Sequence, residues 1–387
     1  MKLPRRVSLG IALPADLAFT PRGMRVAGVV PGSMADAAGL LPGDLLVALA
    51  PPIMPLRSPE ELRVATRYAA FVETITFLVE RAGVSFEREV RVTKCPVETL
   101  FGHEVHYDHV SAGGARLRTI ITRPIAPARH PAVLFLQGIA RDSLDFAANP
   151  DAPLGLLIQG WAREGFVTMR VDKRGVGDSD GEEAGFEADV DGYREGLDAL
   201  AAYDFVDPGA IFLFGHSVGG MIAPLLAGER STRGVMVYGT SAARWSVCLE
   251  ASTRRQLALR GEGASEIERA VAHERSELFG AGSGAYHAEL EARDLAAAWG
   301  KVTCPALVIL GEHDWVVGED EQLAIAARAS AEVLRLPGTD HLMTRHASLE
   351  ESLRAYGRGD FDERLVRETA IWMRQQMHRK TRRQGGD

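Results

Sequence analysis

Two hydrophobic rhythms divide the chain. Up to about Cys95, short apolar runs alternate with turn residues. Val7–Leu13, Met24–Val30 and Asp44–Leu49 read as strands, with Pro31-Gly32 turning the chain after the second. Ser33 is placed to cap a short helix that Gly39 ends. Ser58-Pro59-Glu60-Glu61 is a capping box with proline at the first helical position, and predicts a helix through about Tyr68. Thr74–Arg81 and Phe86–Val92 then read as a closing hairpin around Ala82-Gly83. From about Phe101 the rhythm changes. Val133–Gln137, Val167–Val171, Ile211–Phe214, Val235–Tyr238, Ala306–Leu310 and Glu332–Leu336 are short apolar runs, the pattern of strands buried on both faces. Helical stretches such as Asp189–Tyr203 and Glu319–Ala329 lie between them. This alternation predicts an α/β fold, a mostly parallel sheet with helices on both faces. Glu104–Val110 and Arg116–Arg123 come without helices and predict an antiparallel edge. The interval Gly239–Ala298 holds helix formers and no strand, which predicts a helical cap inserted at about 239–298. The expected division is therefore a β-rich domain over 1–95 and an α/β domain over 96–387.

Composition narrows the classes. The 387 residues are 46% hydrophobic and 25% charged, values of an ordinary globular protein and enough chain for two domains. A net charge of −8 argues against nucleic acid, and the one basic cluster, Arg379–Arg383, reads as a solvated terminus. Three cysteines, Cys95, Cys248 and Cys304, are odd in number and lack ligand spacing, so neither disulfides nor zinc are expected. No apolar run reaches the ~18 residues of a membrane span. Lys2, Arg5 and Arg6 before Val7–Leu13 imitate a signal peptide, but Asp16 cuts the run short. A cytoplasmic protein is expected. His103, His106 and His109 alternate on the predicted edge, and without a nearby acidic or cysteine partner they read as exposed side chains rather than a metal site.

The candidate chemistry centres on Gly215-His216-Ser217-Val218-Gly219, a G-x-S-x-G motif directly after an apolar strand and before a small-residue helix. A serine at such a turn is held in a strained backbone conformation, which requires small residues two before and two after it. A lone hydroxyl is a poor nucleophile and needs an aligned base. Asp314 and His341 each lie just past a predicted strand, giving the chain order Ser, Asp, His. In a parallel sheet all three strand ends share one edge. His341 would take the serine proton and return it to the leaving group, while Asp314 would hold the imidazole and stabilise its cation. Asp340 is the competing acid, disfavoured because sequence neighbours rarely point at each other. His313 and His346 read as surface or supporting groups, and His216 as packed nearby. Pro224, a turn or two into the helix after Ser217, is expected to kink it.

These motifs resemble the alpha/beta-hydrolase family over about residues 101–380. The likeness extends to Asp172-Lys173-Arg174-Gly175-Val176-Gly177-Asp178-Ser179, similar to the family's loop after its fourth strand and read as structural bracing. The resemblance implies hydrolysis through an acyl-Ser217 intermediate without metal or organic cofactor. It also implies an oxyanion hole from two amides: Val218, after the nucleophile, and, by analogy, Ile139. At the latter the family commonly has His-Gly and this chain has Gln137-Gly138-Ile139. In the cap, Trp245 is the first candidate for the substrate pocket, and Arg254 and Arg255 read as a solvated helix face ahead of an anion site.

The first domain resembles a bacterial, circularly permuted PDZ domain. The likeness rests on Ser8-Leu9-Gly10-Ile11, Val29-Val30-Pro31-Gly32-Ser33-Met34-Ala35 and Ala38-Gly39-Leu40-Leu41-Pro42-Gly43-Asp44-Leu45-Leu46. Ala50-Pro51-Pro52 replaces the family's usual Asn-Gly. The resemblance implies a groove between the strand after Gly10 and the helix Ser58–Tyr68, where amides around Leu9, Gly10 and Ile11 would take a protein C-terminus. Packing on the hydrolase or self-association is the alternative. The expected function is ester hydrolysis on a small-molecule or peptide acyl substrate. A thioester or amide, a peptidase and an acyltransferase use the same triad, and a binding protein with an inactive hydrolase domain is the rival from another class.

Overall fold

In the computed structural model, which describes residues 3–14, 18–280 and 284–379, the chain forms two compact units, Met1–Val97 and Glu98–Asp387. Lys2, Asp16 and the basic residues 380–383 lie outside the described residues. None of the described helices is long and apolar enough to cross a membrane.

The first unit is β-rich. An antiparallel sheet runs Phe19–Thr20, Gly23–Arg25, Leu45–Ala50, Thr74–Arg81, Val84–Arg91, with Met54–Pro55 beside Leu45–Ala50. Ile11–Ala12 and Gly28–Val29 form a separate antiparallel pair. The expected strand Met24–Val30 is therefore broken. Its middle changes partners: Val26 N donates to Asp44 O at 3.0 Å, and Ala27 N to Ala12 O at 2.9 Å. Of Val7–Leu13 only Ile11–Ala12 joins a ladder, while Val7 makes a lone bridge to Lys94. The caps behave as their chemistry predicts. Ser33 Oγ accepts from Asp36 N ahead of helix Met34–Ala37, and Ser58 Oγ accepts from Glu61 N ahead of helix Pro59–Ala69. Glu61 reaches back one residue further than a capping box requires, to Arg57 N at 2.7 Å. Met24, Leu46, Leu49, Leu56, Ala65 and Phe77 fill the core.

The second unit has strands β1 (His103–Ala112), β2 (Ala115–Pro124), β3 (His130–Leu136), β4 (Val167–Val171), β5 (Val206–His216), β6 (Gly234–Tyr238), β7 (Ala306–His313) and β8 (Glu332–Asp340). Their order in the sheet is β1-β2-β4-β3-β5-β6-β7-β8. Neighbours from β4 to β8 are parallel, and β1 and β2 form the expected antiparallel edge. Thr344–Arg345 and Asp360–Phe361 extend the other edge. Helices α1 (Pro153–Arg163), α2 (Phe186–Ala202) and α3 (Val218–Glu229) follow β3, β4 and β5; α4 (Trp245–Leu259), α5 (Ala264–Phe279), α6 (Ala285–Glu291) and α7 (Leu295–Gly300) fill the interval between β6 and β7; α8 (Glu319–Ala329), α9 (Leu349–Ala355) and α10 (Arg364–His378) complete the unit.

The continuous apolar runs have a simple cause. Leu134, Leu213, Val237 and Val308 enter the core on one face of the sheet, while Phe135, Phe214, Met236 and Ile309 enter the core on the other. Alternating side chains thus have no solvent face. Helix α2 lines its face of the sheet with Phe186, Val190, Tyr193, Leu197 and Leu200, a helical spacing. Helix α3 runs unbroken from Val218 to Glu229 through Pro224.

Candidate active site

Ser217 sits between the end of β5 and the start of α3 with φ 53° and ψ −123°, a conformation unusual for any residue but glycine. Its surroundings hold the turn. Ser217 N donates to Tyr238 O at 2.9 Å, and Gly220 N to Ser217 O at 2.8 Å. A Cβ on Gly215 would stand 2.5 Å from Gly219 O, and one on Gly219 would stand 2.0 Å from Leu136 O. Both flanking glycines are therefore required by close backbone approach, as the motif implies.

Asp314 follows β7 and His341 follows β8, at the same sheet edge as Ser217. His341 Nδ1 lies 3.1 and 3.0 Å from the two Asp314 carboxylate oxygens, with both side chains buried. Asp314 Oδ1 also accepts from Val316 N at 2.8 Å and Val317 N at 2.9 Å, so the carboxylate is fixed before it meets the ring. Gly239, at φ +60°, forms the floor: a Cβ there would lie 2.8 Å from His341 Nδ1 and 3.0 Å from Asp314 Oδ2. Asp340 is used otherwise. Its Oδ1 accepts from Leu342 N at 2.9 Å and Thr344 N at 2.8 Å, and its Oδ2 lies 3.3 Å from Ser352 Oγ and from His346 Nε2. His346 is a buried partner of this aspartate rather than a surface group.

His216 closes the cluster. Its Nε2 carries the proton and donates to His341 O at 2.9 Å. Burial, and then the neighbouring His341, push its pKa down to about 3, so the ring stays neutral.

A sequence profile of the Alpha/beta hydrolase family matches residues 133–351, more than half of the chain, a stretch that includes Ser217, Asp314 and His341. The chain belongs to the alpha/beta hydrolase family. A curated relative, Esterase EstD of Thermotoga maritima, is 24% identical over 266 residues, 65% of this chain. The chain spans 64% of that relative's length. Similar solved structures include Est1E of Butyrivibrio proteoclasticus with ferulic acid bound, at 19% identity, covering 69% of this chain and 99% of that one with a TM-score of 0.49. An esterase of Pyrobaculum calidifontis is also 19% identical, covering 73% of this chain and 87% of that one, at a TM-score of 0.47.

In this alpha/beta hydrolase the loop after β3 is held from three sides. Gln137 N donates to Tyr193 Oη at 3.0 Å, Gln137 Nε2 to Asp142 O at 2.9 Å, and Lys173 Nζ to Gly138 O at 2.6 Å. The glutamine that replaces the family's usual histidine thus ties the loop to itself. Lys173 is in turn paired with Asp189 Oδ2 at 3.0 Å. Burial lowers the lysine's pKa and raises the aspartate's, the two charges resisting that drift by their mutual attraction. Gly138 lies against Ser217: a Cβ on it would be 3.0 Å from Ser217 Cβ and 3.5 Å from Oγ.

A cavity of about 400 Å³ opens beside this loop, lined by Ile139, Arg141, Leu278, Tyr286 and His287 among others. Trp245 stands behind it. It is buried, and its Nε1 donates to His287 Nδ1 at 2.8 Å. Arg254 and Arg255 are engaged in ion pairs, Arg254 with Glu250 and Glu268, Arg255 with Glu321. The edge histidines spend their nitrogens locally: His103 on Phe101 O and Ala162 O, His106 on Glu104. In the first unit Leu9 O accepts from Ala35 N and Gly10 O from Val30 N, each at 2.9 Å, and Ile11 pairs with Val29. Lys173, Asp189, Tyr193 and Gly239 are the supporting residues that sequence reasoning passed over. A lysine and a glycine inside or beside recognised motifs were the available signals.

Proposed function

We propose that the chain is a serine esterase working through an acyl-Ser217 intermediate, and the observation that carries this reading is a strained Ser217 at the same sheet edge as a buried His341–Asp314 pair. With Nδ1–H donated to Asp314, His341 Nε2 is left to accept the Ser217 proton. Ser217 Oγ bonds to the ester carbonyl carbon, and the carbonyl oxygen takes the negative charge. The amides of Val218 and Ile139 are the donors for that oxyanion. The C–O bond to the alcohol then breaks, and the alcohol leaves with the proton from His341. Water enters, gives a proton to His341 and attacks the acyl carbon, and the carboxylic acid departs as Ser217 regains its proton. Asp314 stabilises the imidazolium at each stage. No step calls on a metal or cofactor.

The cavity beside Ile139 is of a size for a small acyl ester, in a helical cap over residues 239–298. The esterase name of the curated relative favours an ester over an amide, thioester or acyl transfer. Residues 1–95, within the first unit, are read as a PDZ-like module for a protein C-terminus. Gly10 at φ +74° and the edge of Ile11–Ala12 opposite Gly28–Val29, which carries no ladder among the described residues, support it. Three free cysteines fit a cytoplasmic protein.

Intact-mass labelling with a fluorophosphonate tests the central claim. One adduct is expected on the wild-type chain and none on Ser217→Ala, with turnover of p-nitrophenyl acetate reduced at least ~10³-fold. Wild-type turnover by Ser217→Ala would sink the assignment.

A further inference from the structure

Within the loop after β4, Ser179 Oγ closes the turn by donating to Asp172 O, while Asp172 accepts from Leu144 N and Ser143 Oγ and Asp178 pairs with Arg118. Lys173 reaches toward the site. Its Nζ crosses to Gly138 O at 2.6 Å, 35 residues earlier, and is held there by Asp189 Oδ2 at 3.0 Å, the two side chains being 1% and 2% exposed. The Tyr286 ring lies 5.9 Å from the same ammonium. A buried ion pair is a costly way to satisfy one loop carbonyl, because both charges lose their hydration. A neutral amide donor would do that alone.

The position of the carbonyl gives the pair a purpose. In a trans peptide the C=O and the following N–H point in opposite directions. Lys173 draws Gly138 O to its buried side, so the Ile139 N–H is turned to the other side of the same plane. Ile139 lines the cavity, and Gly138 packs against Ser217. Among the described residues no backbone acceptor engages the Ile139 amide, which leaves it for a ligand. The bonds at Gln137 hold the approach to this peptide but do not set its plane. Gly138 has no Cβ to resist a rotation of that plane, so the bond to Lys173 does.

We propose that Lys173, held by Asp189, is the positioning residue of the oxyanion hole: it fixes the Gly138–Ile139 peptide with its N–H aimed over Ser217, and its charge polarises that peptide so the N–H donates more strongly. A charge-assisted bond to one end of a peptide strengthens the donor at the other. The inference rests on the serine-esterase reading above.

The test is Lys173→Met, which keeps the bulk of the side chain and removes its donor and charge. Rates are normalised to sites titrated to completion with the fluorophosphonate. The expected result is a kcat per titrated site lower by on the order of 10²-fold with KM within about threefold. A trifluoromethyl ketone, which binds Ser217 as a hemiketal oxyanion, should lose affinity by a similar factor. A merely structural lysine would lower Tm and the number of titratable sites and leave kcat per site unchanged, and that outcome overturns the proposal. If Lys173→Met does not fold, the unmodified protein decides: on binding the ketone, the Ile139 amide proton resonance should move downfield with that of Val218. An Ile139 resonance that stays in place overturns the proposal. The two readings fail separately. A wild-type chain with no labelling and no turnover removes the esterase reading and this one with it, whereas an active, labelled chain with undiminished kcat in Lys173→Met removes only the role of Lys173.

Discussion

Asp314 and Asp340 show how little residue type alone decides. Both are buried carboxylates close to a histidine at the carboxyl edge of the sheet. Asp314 accepts two backbone amides with one oxygen and presents the pair to His341 Nδ1, whereas Asp340 spends its oxygens on Leu342 N, Thr344 N, Ser352 and His346. Asp314→Asn should therefore reduce kcat on the order of 10³–10⁴-fold with little change in Tm, because the amide favours the wrong imidazole tautomer. Asp340→Asn should do the reverse, lowering Tm while kcat stays within about threefold. Steady-state kinetics beside thermal melts of the two variants separate the roles, and the opposite ranking would pass the acid's role to Asp340. Ser217, Asp314 and His341 are legible in the sequence as candidates because each sits at the end of an apolar run, and the sheet brings those ends to one edge. Lys173 could not be placed in the same way, since nothing in a sequence says which distant carbonyl a flexible side chain will reach. Trp245, the first candidate for the pocket, reaches the cavity through its bond to the lining residue His287, a relation between distant side chains that periodicity does not resolve.

Among elements, the sheet of the hydrolase unit was legible and parts of the first unit were not, for one physical reason. A strand buried on both faces must be apolar throughout, so β3 to β8 announce themselves. The segment Met24–Val30 is equally apolar, but Val26 and Ala27 hand the chain from one sheet to another, and a partner change leaves no mark on hydrophobicity. Helix α3 gives the sharpest contrast at this level. A methyl group on Gly219 would meet Leu136 O at 2.0 Å, a backbone atom in β3 with no freedom to yield, while one on Gly228 in the same helix finds Lys301 Cβ at 3.6 Å. Gly219→Ala is expected to abolish folding of the hydrolase unit or lower its Tm severely. Gly228→Ala is expected to raise stability by ~0.5–1 kcal/mol, through a less flexible unfolded chain. Chemical denaturation of both variants checks the pair, and equal effects would contradict the elbow geometry.

For the whole molecule, the hydrophobic cores fall on either side of Val97. Phe77 belongs to the core of the first unit, and the five tryptophans, Trp161, Trp245, Trp299, Trp315 and Trp372, all belong to the second. Tryptophan fluorescence thus reports one unit and far-ultraviolet circular dichroism reports both. Phe77→Ala removes a fully buried ring and should cost the first unit ~3–5 kcal/mol. The expected outcome is an early transition in the dichroism melt with the fluorescence midpoint unmoved. Coincident shifts in both signals would mean that the two cores unfold as one.

Gly239 also limits how this protein can be rebuilt. It is the residue at which the chain leaves β6 on its way to α4, and the one whose missing side chain makes room for His341 and Asp314. The seam between sheet and cap is therefore part of the floor beneath the His341–Asp314 pair. A chimera that imports another cap has to take its junction on the far side of Gly239, because a graft cut one residue earlier and carrying any side chain there would set a carbon against the imidazole however well the new cap folded.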